Sequence, residues 1–416
     1  MSEKLQAPRG TFDVLPENAD ARAAVESTAR RILEGAGYRR IETPTFELTD
    51  VFARGVGAST DIVQKEMYTF DDGGGRSVTL RPEGTAPICR AYAEHGMHKL
   101  PQPVKLWYLS SFFRSEKPQA GRHRQFWQIG AEALGSDDPA VDAESILLLA
   151  TLLGELEVDG LRLRIGSLGT PDTRAAYREE LQAHLTANAD RLSDDVRGRI
   201  ELNPLRAFDS DHPGTRDVMS SAPRLLDRLD ADDAEHFATV RELLDGAGLL
   251  YEIDTTLVRG LDYYTRTVFE FTSDALGAQS GVAGGGRYDG LVAQLGGPAT
   301  PGCGWAAGVE RIMLTAARPP VAAPPVDLFV ALDGAQARAP AFAIVAEARR
   351  ARLHARLELA GRSLKGQLKQ ADRLGCRYVA IVGDTGTVLK DMDSGEQQDV
   401  GSGEVVTRIL RARGLR

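Results

Sequence analysis

A phenylalanine, an amide and a carboxylate recur on one face of a single apolar stretch: Phe126, Gln128 and Glu132, within QFWQIGAE at residues 125–132. Side chains alternate faces along a strand. These three therefore share a face, and Trp127, Ile129 and Ala131 share the other. The second set is apolar and suited to packing on the protein. A carboxylate on an otherwise apolar strand is costly to bury without a partner, so the first face meets a ligand or a cation. Upstream, residues 105–114 form a second apolar segment ending on Arg114, and the intervening loop carries Pro118, Gly121, Arg122 and Arg124. The pattern predicts two antiparallel strands joined by a long hairpin loop. Guanidinium groups at the loop could fork onto phosphate oxygens. Taken alone, the stretch also fits an ordinary surface hairpin with solvated charges.

Other residues point the same way. Glu83 and Thr85 stand where a predicted strand passes into a predicted helix, a place for helix capping or for a ligand contact. In LVRGLDYYTRTVFEF, residues 257–271, Arg259 precedes Gly260, and Asp262, Tyr263 and Tyr264 follow, ahead of a β-branched and aromatic strand. GVAGGGRYDG at 281–290 is not the dinucleotide fingerprint, because Gly284, Gly286 and Gly290 miss its spacing, and no Gly-Lys-Ser/Thr follows to make a Walker A loop. It reads as a flexible turn, or as backbone packed tightly round a small ligand with Arg287 and Tyr288 beside it. In PGCGWAAGVERIMLTA, residues 301–316, a Gly-rich segment runs into a helix that places Arg311 near the positive end of the helix dipole, which favours an anion beside it.

The elements that must hold these groups follow from pattern and composition. A chain of 416 residues allows two or three domains and a large core. No apolar run approaches the roughly 20 residues that span a bilayer. The first ten residues have no apolar core and make no secretory signal. Cys89, Cys303 and Cys376 form no CxxC pair, so a disulfide framework is not expected and a reducing cytoplasm fits. The net charge of −9 argues against a protein that coats nucleic acid non-specifically. Helical spacing covers residues 17–37, 86–96 and 140–155, and strand patterning covers 39–46 (with Pro44), 66–70, 77–81, 162–167 and 250–253. Residues 172–249 are polar, acidic, helical in period and punctuated by prolines, as an inserted helical module would be. After the proline-rich linker 318–326, strands and helices alternate as a small α/β domain. Between residues 343 and 380 nine Lys/Arg face three Asp/Glu, a basic patch suited to a polyanion.

Together these pieces resemble the histidyl-tRNA synthetases, class II aminoacyl-tRNA synthetases. PRGTFDVLP opens that family. Residues 42–46 with Pro44 match its class II dimer motif, FRSEKPQAGRHRQF its second class motif and GWAAGVERI its third. LVRGLDYYTRTVFEF and AGGGRYDG match its histidine-specific stretches, and GRSLKGQLKQADRLGCRYVAIVGD resembles its anticodon-binding domain. The resemblance implies an α+β fold: an antiparallel catalytic sheet flanked by helices (1–170 and 251–320), a helical insertion (171–250) and an α/β anticodon-binding domain (326–416). It implies a homodimer in the cytoplasm, with no membrane partner.

The implied activity is that of a histidine-tRNA ligase. Histidine and ATP would give an adenylate and pyrophosphate, and the amino acid would pass to the 3′ end of histidine tRNA. By resemblance, Arg114 and Arg259 hold the α-phosphate and the histidine carboxylate and are the catalytic residues, with Arg259 replacing a metal that other class II enzymes use. Phe126 stacks on adenine against Arg311, which also reaches the γ-phosphate; Glu116 and Arg122 complete the ATP site. Glu83, Thr85 and Gln128 hold the α-amino group. Glu132 and Tyr264 read the ring nitrogens, and Tyr263 and Tyr288 line the pocket. Gln119 and Arg122 lie where the loop would touch the tRNA acceptor end, and Mg2+ would bridge the outer phosphates, with no metal ligand named. A carboxylate with a phenol suits imidazole, whose two nitrogens are a donor and an acceptor when neutral. Ala120, His123 and Trp127 depart from the residues common in the family, and the first two would weaken loop contacts. The alternative is the synthetase-like regulatory subunit of ATP-phosphoribosyltransferase, which lacks the C-terminal domain and degrades the catalytic motifs.

Overall fold

The computed structural model describes residues 4–57, 60–257, 260–317 and 326–414. The chain divides into two compact units, Met1–Val321 and Ala322–Arg416. The strands of the first unit, in chain order, are β1 Arg39–Arg40, β2 Phe46–Leu48, β3 Tyr68–Asp71, β4 Ser77–Leu80, β5 Val104–Phe113, β6 Gln125–Leu134, β7 Leu161–Ser167, β8 Glu252–Ile253, β9 Thr265–Ser273, β10 Gly281–Arg287 and β11 Gly302–Gly308. Eight make one sheet, ordered β1-β5-β6-β11-β10-β9-β7-β8, and β2-β4-β3 make a small separate one. The six central strands of the large sheet pair antiparallel, while β1 and β8 add parallel edges.

The period-2 pattern decides which face each side chain meets. Trp107 and Leu109 of β5, Ile129 and Ala131 of β6 and Trp305 of β11 pack on one face, against helices Pro16–Gly35, Pro139–Glu155 and Ala231–Gly246. Leu106, Tyr108 and Phe112 face the other way with Tyr263, Tyr264 and Tyr288. There they meet helix Thr85–Glu94 through Ile88, Cys89 and Tyr92. Trp107 and Ile129 are wholly buried; truncating such residues costs about 2–5 kcal/mol, so the first face anchors the sheet and frees the second for a site.

The inserted residues do form helices, Pro171–Ala187, Asp194–Arg199, Pro213–Ser220 and Ala231–Gly246. Each starts on a side chain that accepts an amide of its first turn: Thr170, Ser193, His212 and Asp230. The second unit is a five-stranded sheet of β12 Leu328–Asp333, β13 Ala355–Leu357, β14 Tyr378–Gly383, β15 Thr387–Asp391 and β16 Gln397–Val400, ordered β13-β12-β14-β15-β16. Helices Arg338–Arg350 and Val405–Ala412 cover one face and Leu364–Arg373 the other. The architecture is thus α+β, with an antiparallel sheet in the first unit and an α/β arrangement in the second. Most of the linker, residues 318–325, lies outside the described residues.

Three local expectations change. Residues 39–46 are not one strand: β1 stops at Arg40, and Arg81 Nη1 bonds the carbonyls of Thr43 and Pro44 at 2.7 and 3.3 Å, where a strand partner would have been. Residues 281–287 are no turn but β10, in the interior of the sheet. Residues 302–308 are strand β11, so the helix begins only at Val309. The glycines conceal both strands because they supply no alternating side chains, yet packing demands them: a Cβ on Gly285 would overlap the Gly304 carbonyl.

Candidate active site

The hairpin β5–β6 runs in unbroken register from Val104 opposite Leu134 to Phe113 opposite Gln125. Its open face forms one wall of a cavity lined by Glu83, Thr85, Arg114, Glu116, Arg122, Phe126, Gln128, Tyr263, Tyr264 and Arg311, drawn from four separate stretches of sequence. The alternation places Phe126 and Gln128 on this wall, and Trp127 on the opposite face with the Arg22 guanidinium 3.9 Å from its ring centroid.

Three guanidinium groups converge here. Arg114 follows the last residue of β5; its Nε donates to Pro82 O at 2.9 Å, and its guanidinium carbon lies 5.2 Å from the Phe126 ring centroid. Arg122 pairs with Glu116 at 3.0 Å. Arg311, in the first turn of helix Val309–Thr315, donates to the carbonyls of Gly121 (3.2 Å) and Gly281. Burial, then the neighbouring Arg122 charge, hold Arg311 below its ordinary pKa, with Glu116 opposing. A cation that is half-desolvated, beside other cations and at the positive end of a helix is unfavourable until an anion arrives. The cluster is therefore chemically matched to a polyphosphate.

Deeper in the cavity the chemistry changes. Glu83 accepts the amides of Thr85 (2.7 Å) and Ala86 (3.0 Å), so it does cap helix Thr85–Glu94, and it takes the Tyr263 hydroxyl at 3.5 Å as well. Thr85 Oγ1 donates to Glu132 Oε1 at 2.8 Å, and Tyr288 donates to Glu132 Oε2 at 2.5 Å. Glu132 has no cationic partner in these bonds. Burial pushes its carboxyl up to about 8, against the pull of the Tyr288 and Thr85 hydrogen bonds. Its space exists because a Cβ on Gly304 would overlap the carboxylate. The Tyr263 and Tyr264 ring centroids lie 4.7 Å apart at the cavity wall. Gln128 Oε1 is buried and has no hydrogen-bond partner among the described residues.

The other residues that the sequence singled out lie at the cavity's edge, behind it or away from it. Tyr288 is not on the cavity wall but behind Glu132, which it orients. Glu132 itself lies just beneath the wall. Gln119 is at the loop tip, in a two-residue bridge with Arg122, away from the cavity lining. Arg124 packs on the chain start, bonding Glu116 O and Arg9 O. Arg287 is fully buried and paired with Asp142 at 2.6 Å, and it does not line the cavity. His123 contacts Phe12, ring centroids 4.6 Å apart, and also lines the cavity. Arg259 lies outside the described residues. Tyr108 is a lining residue that the pattern left unmarked, with a buried hydroxyl that has no hydrogen-bond partner among the described residues. Its signal was the mid-strand Gly130 opposite it, where a Cβ would overlap the Tyr108 ring.

Known proteins supply the context for this cavity. The family profile described as Histidyl-tRNA synthetase matches residues 10–312, and one described as Anticodon binding domain matches residues 329–412. The chain is 46% identical to the histidine–tRNA ligase of Desulforamulus reducens over 414 residues, 98% of this chain and 99% of that protein. It is 50% identical to the histidine–tRNA ligase of Halorhodospira halophila over 391 residues, 92% of this chain and 91% of that one. Its fold is similar to the crystal structure of apo S. aureus histidyl-tRNA synthetase, with a TM-score of 0.81 and 34% identity over 98% of this chain and 100% of the other.

Proposed function

The chain belongs to the histidyl-tRNA synthetase family, and from that premise we propose how its cavity joins histidine to tRNA. In the first step a histidine carboxylate oxygen attacks the α-phosphorus of ATP. The bond to the bridging oxygen breaks, and pyrophosphate leaves. In the second, a terminal hydroxyl of tRNA attacks the adenylate carbonyl, loses its proton, and AMP departs. Such chemistry depends on positioning and charge neutralisation more than on covalent help from the protein.

The assignment of roles follows the two chemistries of the cavity. Arg114, Arg122 and Arg311 receive the triphosphate, and Phe126 offers its ring to adenine. Glu116, already bonded to Arg122, orients that guanidinium. Arg259 neutralises the α-phosphate, as the family motif implies. Glu83, Thr85 and Gln128 receive the α-ammonium, whose donors match the unpartnered Gln128 oxygen. Glu132 and Tyr264 hold the imidazole, with Tyr263 at the wall and Tyr288 behind Glu132. Mg2+ would arrive with ATP and neutralise phosphate charge, with Glu116 and Glu270 the cavity carboxylates that would hold it. The donor set suits that arrangement: Glu116 and Glu270 face the cavity, and among the described residues no group of three or more His, Cys, Asp or Glu side chains clusters into a cage.

Beyond the cavity, Gln119 and Arg122 meet the acceptor end of histidine tRNA, and the basic second unit meets the anticodon. A homodimer forms through the small sheet, where Phe46, Leu48 and Phe70 are each about half exposed. The cytoplasm suits three buried, unpaired cysteines. No helix among the described residues is long and apolar enough to cross a membrane.

One observation carries the catalytic part: a guanidinium cluster and an unsatisfied buried amide oxygen face the same cavity as the paired tyrosines. Pyrophosphate–ATP exchange with each amino acid in turn tests it. Exchange supported by histidine alone agrees with the assignment; exchange with another amino acid, or none at all, rejects it. Loss of exchange with retained binding to ATP-phosphoribosyltransferase would instead favour the regulatory alternative.

A further inference from the structure

Arg266 is a non-glycine residue with φ of +44°, two positions past Tyr264. An arginine rarely takes this left-handed region, and residues held there cluster at functional sites. The strain coincides with a β-bulge. Along β10, Gly286 pairs with Val268 but Arg287 pairs with Thr265, so residues 266 and 267 are skipped. Bulges re-aim the side chains beside them.

What holds Arg266 there comes from both ends of the inserted helical module. At its entry, Arg266 N donates to Gly169 O at 2.8 Å and Leu168 N donates to Arg266 O at 2.7 Å. At its exit helix, Ala231–Gly246, Arg266 Nε donates to the buried Asp233 at 2.8 Å and Nη1 meets His236 Nδ1 at 3.3 Å. Asp233 also accepts Thr170 N and Thr173 Oγ1, both at 2.7 Å, which ties the exit helix to the entry. His236 Nε2 in turn reaches Asp142 at 2.7 Å, on helix Pro139–Glu155 of the sheet. From the module's first helix, Arg174 Nη1 donates to the Tyr264 carbonyl at 2.7 Å. The Tyr263–Tyr264 wall is thus gripped on its carbonyl and again two residues later.

We propose that Arg266 is a positioning residue through which the inserted module sets where the Tyr263 and Tyr264 rings stand, and so sets the affinity for histidine. The inference rests on the histidine-pocket assignment above. The module is therefore a structural part of the amino-acid site, although none of its four helices lines the cavity. A merely stabilising arginine would lower the apparent kcat through the folded fraction and leave both KM values unchanged; a positioning one moves the histidine KM alone.

The test is steady-state pyrophosphate exchange by the full chain, with histidine and ATP varied separately. Arg266→Ala is expected to raise the histidine KM at least tenfold, with kcat and the ATP KM within about twofold of the parent. Arg266→Gly separates grip from strain, because glycine accepts the positive φ freely; it should match the alanine variant. Asp233→Asn should shift the same constant, and the double variant should be no worse than the more severe single one. Where Arg266→Ala is too unstable to assay, Arg174→Gln supplies the same readout, with an expected three- to tenfold rise in histidine KM. A parental histidine KM in the folded variants, equal rises for histidine and ATP, or a parental value in the glycine variant would each overturn the inference. A parent chain showing no histidine-dependent exchange would instead overturn the pocket assignment.

Discussion

Replacing Glu132 with glutamine keeps the shape of the pocket and removes its deepest ionisable group. The two oxygens of Glu132 accept hydroxyls, from Thr85 at 2.8 Å and Tyr288 at 2.5 Å. Hydroxyl protons rotate, so the amide keeps one acceptor bond and turns the other round. Packing is therefore conserved, and what changes is ionisation. Burial places the Glu132 carboxyl at about 8, against an ordinary 4.5. Between those limits the folded, ligand-free chain holds a proton that the unfolded chain has released. Stability is then undiminished below the ordinary value and falls as pH rises toward 8. At about 1.36 kcal/mol per pKa unit, this one group lowers stability by on the order of 5 kcal/mol once ionised. Glu132→Gln lacks the titration. It is expected to melt higher than the parent at pH 8, and to close that gap on acidification to pH 5, in calorimetry without ligands. At pH 8, where the parent's carboxyl is substantially ionised, the same variant should bind histidine worse, because a hydrogen bond to a charged group contributes about 1.5–3 kcal/mol, or roughly 10- to 150-fold in the histidine KM. Parallel pH profiles for the two proteins, or an unchanged histidine KM, would refute the reasoning.

Four further outcomes are expected. Arg311→Ala should reduce kcat/KM for ATP at least tenfold in the exchange assay while the histidine KM stays near its parental value, since Arg311 stands with Arg114 and Arg122 in the cluster proposed above to receive the triphosphate. Arg287→Ala should lower stability by about 3–5 kcal/mol, the cost of stranding a buried partner, here Asp142 at 2.6 Å; chemical denaturation reads it directly. Arg259→Ala should abolish exchange yet leave tRNA retention on filters largely intact. Removing residues 326–416 should spare exchange, because the first unit has its own cores, and should weaken tRNA charging measured with labelled histidine.

How much of this was legible beforehand depends on whether the signal was local. The hairpin was, because β5 and β6 alternate cleanly and a period of two assigns every side chain to a face. Phe126, Gln128 and Trp127 fell on the sides that the pattern named. The glycine-rich strands β10 and β11 were not, because their message is the absence of side chains, and absence looks the same in a turn and in a crowded sheet. The bending of Tyr288 from the wall to a place behind Glu132 was equally hidden. A tyrosine next to a ligand and a tyrosine next to the residue that touches the ligand have the same spacing in sequence. Pairings across 145 residues, such as Arg287 with Asp142, leave no local trace at all.

These hidden contacts share a physical logic. On the assignment proposed above, a pocket that distinguishes imidazole from other side chains needs a carboxylate whose direction is fixed before the ligand arrives, since a freely rotating one would accept many donors. Fixing it takes hydroxyls from elements far apart in the chain: Thr85 from the start of a helix, Tyr288 from the residue after β10. Each of those must itself be fixed, and here the buried charges enter. Arg287 adjoins Tyr288 and binds Asp142; Arg266 lies two residues past Tyr264 and binds Asp233; His236 stands between Asp142 and Arg266. Replacing such a network with apolar residues could leave stability unharmed or improve it. Its retention behind a pocket is better explained by direction than by stability, because charged hydrogen bonds hold angles that apolar packing leaves loose. On this argument a fully apolar substitution of Asp142, His236 and Arg287 together would yield a folded protein with weakened choice among amino acids, and exchange with histidine against its nearest isosteres measures that loss. A triple variant that folds and still selects histidine as the parent does would remove the network from any part in specificity.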